Sequence, residues 1–228
     1  MLAVVLPLVS YYLVKKYSSE AVHMPQRHFY DSVEVRQVKG TMVSDTIWHQ
    51  VKNIQMINQL GKSVSLADLK GKIILVDFFF TRCPSICPSM ARSMKKLQES
   101  FRKNDSIVQF VSITVDPKFD SVTQLKKFSD KYRIDPGSWW LATGDRKDIY
   151  DFAIKELKAN IADVNVDTAF VHTENFFLLD RDRVVRGWYN GLDSISQSKL
   201  VRDIPLLMLE KDRKKTFRDF LKELFGRS

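Results

Sequence analysis

The sequence predicts a layered α/β domain with a mainly parallel sheet at its centre. Two apolar runs, 73–80 and 107–115, are rich in β-branched and aromatic residues and predict strands that are buried on both faces. Apolar residues at helical spacing follow each run, and this alternation is typical of parallel strands joined by crossover helices. Two late apolar segments, 175–179 and 184–189, predict a closing hairpin.

The other elements follow from the same patterns in chain order. Short apolar pieces at 54–57 and 64–66 flank a turn sequence and predict a hairpin ahead of the central strands. Met90 and Leu97 belong to an apolar stripe that predicts a helix over 88–102. The remaining predictions are a helix around Leu125 and Phe128, a strand at 139–142, a helix at 149–157 and a last helix from Ser196 with a kink or break at Pro205.

The chain divides into four predicted regions. Residues 1–16 begin with an uncharged apolar stretch that is shorter than the roughly 20 residues of a spanning helix. We expect a membrane anchor there whose start lies a little upstream of Met1, with a buried amphipathic segment as the alternative. Residues 17–45 are polar without a sustained period, so we expect an irregular tether in which His23 and His28 are solvated. The folded domain is predicted at 46–207. A basic tail at 208–228 is expected either to lie on an anionic membrane or partner, or to pack as a charged helix on its own domain.

Composition narrows the classes of function. The formal charge of +9 permits attraction to nucleic acid, anionic lipid or an acidic protein. The body of the chain carries no zinc-finger spacing, no helix-turn-helix signature and no basic run interleaved with aromatics, so we do not expect nucleic-acid binding. Cys83 and Cys87 are the only two cysteines, which excludes a disulfide framework and leaves core packing, a redox pair or metal ligands.

The two cysteines lie where a predicted buried strand gives way to a helix. A helix start supplies free N–H groups that favour thiolate, and Pro88 suits a first helical turn. In a helix, Cys83 and Cys87 would have Cβ atoms about 5 to 6 Å apart. An unstrained disulfide has a Cβ separation of roughly 3.5 to 4.5 Å. Two thiolates at the helical separation could hold one metal ion.

His172 is the candidate third ligand. Without a third cysteine, zinc sites of four cysteines, or of three with one histidine, are excluded within one chain. Two thiolates and one imidazole suit copper, which binds soft sulfur. A thioredoxin-type disulfide exchanger has a proline ahead of the late strand, whereas this chain has none between Pro136 and Pro205 and has His172 there. That favours metal binding, although a lone loop histidine is more often structural.

Three segments together resemble one known family. They are FFFTRCPSICP at 78–88, ITVDP at 113–117 and AFVHTENFFLLD at 169–180. They are similar to the Sco/SenC family, membrane-tethered thioredoxin-like copper proteins that help to assemble the binuclear copper centre of cytochrome c oxidase. The resemblance covers about 48–207 and the anchor and tether layout. It implies a thioredoxin-like fold, with a central mixed sheet flanked by helices.

The resemblance also implies roles for particular residues. Cys83, Cys87 and His172 would be the copper ligands, and the two cysteines would form a reversible disulfide, for which the segment between them must depart from an ideal helix. Asp116 matches the family's Asp-Pro and is a candidate for a supporting position beside the ligands, with a turn or helix cap as the alternative. The implied location is the inner membrane, with the domain facing the periplasm. The implied partners are the oxidase copper-centre subunit or another copper acceptor, and a thioredoxin-like reductant.

Two functions remain open from the sequence. The first is a copper metallochaperone, and the alternative is a thiol-disulfide oxidoreductase that reduces the cysteines of an oxidase subunit or another extracytoplasmic protein, independently of His172. The two are compatible, because thiols must be reduced before they bind metal. A third hypothesis, a protein-contact domain with inert cysteines, is disfavoured because the cysteines follow a strand's carboxyl end, where α/β sheets open to ligands.

Overall fold

The computed structural model describes residues 11–12, 23–38, 41–159 and 173–210. Within these ranges the chain forms nine strands and four α-helices. In chain order they are β1 (Tyr30–Val38), β2 (Thr41–Trp48), β3 (Gln55–Asn58), β4 (Ser63–Ser65), β5 (Ile73–Phe79), α1 (Cys87–Ser100), β6 (Val108–Thr114), α2 (Val122–Tyr132), β7 (Trp139–Thr143), α3 (Arg146–Asp151), β8 (Asn175–Leu179), β9 (Val185–Asn190) and α4 (Ser194–Leu209).

Seven of these strands form one mixed sheet in the order β4-β3-β7-β6-β5-β8-β9. The central strands β5, β6 and β7 are parallel, and β3 and β8 pair antiparallel on either side. Every residue of β5 and of β6 is buried, as their continuous apolar sequences predict for strands covered on both faces. Helices flank the sheet, so the predicted α/β class with a mixed sheet is confirmed.

The predicted hairpins and helices are present, with one difference in α4. The pairs β3–β4 and β8–β9 are antiparallel hairpins, as expected. Pro205 lies inside the helix Ser194–Leu209, so of the kink or break expected there the break is wrong, and the kink stays a prediction. A proline lacks only its own N–H, and the flanking turns continue the helix on the buried side chains of Ile204 and Leu207.

The irregular tether expected at 17–45 differs from the structure over much of its length. Strands β1 and β2 form a separate antiparallel hairpin that reaches Trp48. Ahead of it, the Pro25 carbonyl accepts hydrogen bonds from the Arg186 guanidinium at 2.6 and 3.1 Å, and the His28 N–H donates to the Val185 carbonyl. The chain from about residue 25 is therefore bonded to the domain. Composition did not reveal this, because the partner Arg186 lies 161 residues away from Pro25 in the sequence.

The predicted membrane anchor and basic tail fall mostly outside the described residues. Of residues 1–16 only Tyr11 and Tyr12 are described, and 211–228 are not. Among the helices within the described ranges, none has the length and apolar character that crossing a membrane requires.

Candidate metal centre

The site lies at the edge of the sheet where the three parallel strands end. The connections after β5, β6 and β7 all begin at this edge, because parallel strands share the direction of their carboxyl ends. Strand β8 is antiparallel to β5 and therefore starts at the same edge. Residues far apart in the sequence thus meet around the segment that carries both cysteines.

The cysteine segment is a non-helical turn that leads into α1. Cys83 precedes the helix, and Cys87 is the first helical residue. The Cys83 N–H donates to the Phe80 carbonyl at 3.2 Å, and the Cys87 N–H donates to Cys83 Sγ at 3.4 Å. The helical spacing considered for the pair is therefore not adopted, and the segment departs from an ideal helix as the family resemblance requires. Both cysteines are free thiols, and they are 6 % and 5 % exposed.

The two thiols differ in acidity. Burial would raise the pKa of the Cys83 thiol, but hydrogen bonds from the Cys87 thiol, the Cys87 N–H and Ser85 outweigh it and hold that pKa below its usual value. Burial raises the pKa of Cys87, and its hydrogen bond to Cys83 and the nearby charge of Asp77 raise it further. Cys83 is thus the more readily ionised member of the pair.

Asp77 is a buried carboxyl group in the middle of β5. It is 2 % exposed and lies opposite Ser112 of β6, whose hydroxyl donates to Asp77 Oδ1. The Ser112 hydroxyl in turn accepts a hydrogen bond from Trp139 Nε1 at 2.8 Å. Burial raises the pKa of Asp77 to about 7, and the bond from Ser112 only partly offsets this effect. The site therefore has a proton-binding group behind Cys87.

Asp116 holds the residue that precedes the cysteine pair. Its side chain is 9 % exposed, and its Oδ2 accepts hydrogen bonds from Arg82 Nε and Nη2, each at 2.8 Å. Its backbone carbonyl accepts the N–H groups of Phe119 and Asp120, which closes the turn after β6. Asp116 thus combines the expected turn role with an ion pair that fixes Arg82 beside Cys83.

Asp120 joins the cysteine connection to the end of β6. It is fully buried, and its carboxylate accepts bonds from the Thr81 N–H at 3.0 Å, the Thr81 hydroxyl at 2.5 Å and the Thr114 hydroxyl at 2.5 Å. The lone pairs of a carboxylate can accept this number of donors. These three hydrogen bonds fix Thr81, two residues before Cys83, to the end of β6.

His172 lies outside the described residues. The next residue, Thr173, is 5 % exposed, and its hydroxyl accepts the N–H of Asn175 at the start of β8. Across the strand pair, the Gly191 N–H donates to the Glu174 carbonyl at 2.6 Å. The structure therefore brings the start of β8 to the cysteine edge. Among the residues that it describes, which omit His172, no three or more His, Cys, Asp or Glu side chains are grouped to hold a metal.

Sequence reasoning missed Asp77, Asp120 and Arg82. A signal existed for Asp77, because it is the one charged residue in the apolar run IILVDFFF. A charge within a strand buried on both faces is rare unless it is paired or neutral. Asp120 gave no comparable signal, since an aspartate after a turn is usually a solvated cap.

Comparison with known proteins agrees with this architecture. The family model described as SCO1/SenC matches residues 49–208. The SCO1 protein homolog of Bacillus subtilis is 34 % identical over 166 residues, which cover 72 % of this chain and 86 % of that protein.

Solved structures extend the comparison. One similar structure is that of BsSco, a member of the Sco family of cytochrome c oxidase assembly proteins in which a disulfide switch was identified. Its sequence is 33 % identical to this chain, the TM-score is 0.62, and the match covers 72 % of this chain and 96 % of BsSco. The fold is shared by copper-bound ScoI of Bradyrhizobium japonicum. Its sequence is 24 % identical, the TM-score is 0.55, and the match covers 68 % of this chain and 99 % of ScoI. The matched family model spans most of the chain and contains the whole cysteine edge, and the chain belongs to the SCO1/SenC family.

Proposed function

We propose that this protein is a copper metallochaperone that binds Cu(I) or Cu(II) through Cys83, Cys87 and His172 and delivers copper to a cytochrome c oxidase subunit. One observation carries the proposal. The only two cysteines of the chain lie together at the carboxyl edge of the sheet, with Cys83 Sγ accepting the first N–H of a helix. Soft sulfur donors suit copper, and membership of the family agrees with this cargo.

The residues around the pair prepare it for metal. Bonds to Cys83 favour its thiolate, which is the form that binds metal ions. Asp120 and Asp116 fix the preceding turn through Thr81 and Arg82, so the pair is held in place before copper arrives. His172 directly precedes Thr173, which is buried at the start of β8, and we propose it as the third ligand.

The test is an anaerobic copper titration of the reduced chain, followed by absorption and by EPR. We expect one equivalent to bind, and a sulfur-to-copper charge-transfer band with Cu(II). Cys83→Ser and Cys87→Ser should each abolish the band. His172→Ala should weaken Cu(II) binding and remove most of the band intensity.

His28→Ala is the matched control. The centroid of its ring lies 4.7 Å from that of Trp188 on the outer strand β9, away from the cysteine connection, so this variant should keep the affinity and the spectrum of the unmodified chain. Full Cu(II) affinity and an unchanged band in His172→Ala would defeat the assignment of that ligand.

A thiol-disulfide oxidoreductase activity is the second proposal, and the unequal thiols favour it. The Cys83 thiolate would attack a substrate disulfide to give a mixed disulfide, and the Cys87 thiol, after losing its proton, would attack Cys83 Sγ and release the reduced substrate. A thioredoxin-like reductant would then restore both thiols. The metal-free, reduced chain should reduce a disulfide substrate only with both cysteines present and equally well in His172→Ala. A loss of exchange in His172→Ala would contradict this second activity.

For the location, we propose an inner-membrane anchor at 1–16 with the domain on the periplasmic side. Protease added to intact spheroplasts should then degrade the domain. Protection of the domain until the membrane is lysed would contradict this orientation.

A further inference from the structure

Three successive connections at the cysteine edge carry basic side chains. Arg82 follows β5, Lys118 follows β6 and Arg146 begins α3 after β7. Together with the chain from 115 to 119, they line a cavity of about 350 Å³. Arg82 is the neighbour of Cys83 in the sequence, so this basic cavity directly adjoins the proposed copper site.

Two of the basic groups, Arg82 and Arg146, are held at the surface by contacts with neighbouring side chains. The Arg82 guanidinium pairs with Asp116 and stacks 4.9 Å from the centroid of the Phe119 ring, yet the Arg82 side chain remains 50 % exposed. Arg146 lies 5.2 Å from the centroid of the Tyr150 ring. Phe119 is itself 44 % exposed. Guanidinium groups stacked on rings lose less conformational entropy when they bind a partner.

Among the described residues, the nearby acidic groups form an ion pair with Arg82 but none with Lys118 or Arg146. Asp116 is bound to Arg82, and Asp120 is fully buried under three donors. Asp145 is exposed and accepts the Asp148 N–H as the cap of α3. At the other end of the same edge Glu174 accepts a bond from Asn190. The side of β5 to β7 therefore keeps Lys118 and Arg146 as exposed cations.

We infer that the patch of Arg82, Lys118, Arg146 and Phe119 is the docking site for an acidic surface of the copper-accepting protein. The inference rests on the proposed chaperone function. Copper passes between proteins through shared ligands, so the acceptor must approach Cys83 in one orientation. A basic patch with an exposed ring beside the ligands attracts carboxylates and contacts an apolar group of the partner.

The experiment compares two double variants of the full chain with equal charge changes. Lys118→Glu with Arg146→Glu alters the patch, and Arg102→Glu with Lys103→Glu alters the exposed turn that follows α1 at the opposite edge of the sheet. Each pair takes the formal charge from +9 to +5, because each reversal removes two charges. The copper-free oxidase subunit is mixed with the copper-loaded chain, and the transfer rate is measured by stopped-flow absorption at low and high salt.

The patch variant should transfer copper at least about tenfold more slowly than the unmodified chain at low salt, and the difference should shrink to about twofold in about 0.5 M salt. The opposite-edge variant should stay within about twofold throughout. Equal slowing of both variants would assign the effect to net charge and overturn the inference. Equal rates in the patch variant and the unmodified chain would overturn the docking site and leave the proposed function standing. An unmodified chain that binds or delivers no copper would overturn the proposed function itself. An unchanged copper charge-transfer band in each variant shows that the site is folded.

Discussion

Replacing Asp77 by asparagine should stabilise the protein at neutral and alkaline pH. The carboxyl group is fully enclosed in the central strand, and burial raises its pKa from 3.8 to about 7. Above that pH the folded protein must keep a buried negative charge that the unfolded chain exposes to water. The amide side chain of Asp77→Asn would keep an oxygen that accepts the Ser112 hydroxyl and would remove the charge.

The magnitude follows from the linkage between pKa and stability. The folded pKa is higher than the unfolded one, so the contribution of Asp77 to stability is largest below about pH 4 and is lost as the pH rises to about 7. One pKa unit corresponds to about 1.4 kcal/mol. The unmodified chain should therefore lose about 4 kcal/mol relative to Asp77→Asn between about pH 4 and about pH 8, with little further change above that range.

Urea unfolding of the reduced, metal-free chain at several pH values measures this difference. At each pH the free energy of unfolding of the unmodified chain is subtracted from that of Asp77→Asn, which removes the titration of all other groups that the two proteins share. A cost of burying the amide that does not depend on pH leaves the change of this difference with pH unaltered. Asp120→Asn is the control, since an amide NH2 there would face hydroxyl and N–H donors and should destabilise the protein at every pH in this range. A difference between Asp77→Asn and the unmodified chain that does not grow with pH would refute the argument.

Three further outcomes are expected. In the reduced chain, iodoacetamide at about pH 8 should modify Cys83 faster than Cys87, because hydrogen bonds hold the pKa of Cys83 below its usual value and burial raises the pKa of Cys87. Peptide mass spectrometry gives the two rates, and faster labelling of Cys87 would be inconsistent with this order. Arg186→Met should lower the free energy of unfolding by about 3 to 5 kcal/mol, because the carboxylates of Asp180 and Glu210 would lose a buried cation. A urea midpoint equal to that of the unmodified chain would argue against this loss of stability. Tyr189→Phe should lower the free energy of unfolding by about 1 to 3 kcal/mol, since buried Asp203 would lose its phenolic donor at 2.7 Å. Calorimetry measures the change, and an unchanged melting temperature would contradict this prediction.

Much of the sheet could be predicted from local pattern. The runs at 73–80 and 107–115 are apolar on both faces, which only a strand at the centre of a layered domain can bury. The hairpin at 30–48 could not be predicted in this way. Val33 and Val35 alternate with polar residues only briefly, and both are about half exposed, so the pattern that marks a half-buried strand is too short to predict β1.

The sequence by itself determined the α/β class, the positions of the central strands and the placement of the only two cysteines at a strand-to-helix junction, because periodicity and covalent spacing are local properties. The ligand role of His172 stays a prediction of the sequence and the family. Only the tertiary structure decided that Asp120 clamps Thr81 and that Asp116 holds Arg82, across separations of 39 and 34 residues. Such contacts depend on which strands are neighbours in the sheet, and no local pattern encodes the strand order. The cysteine pair therefore comes from the sequence, and the turn that holds it comes from the fold.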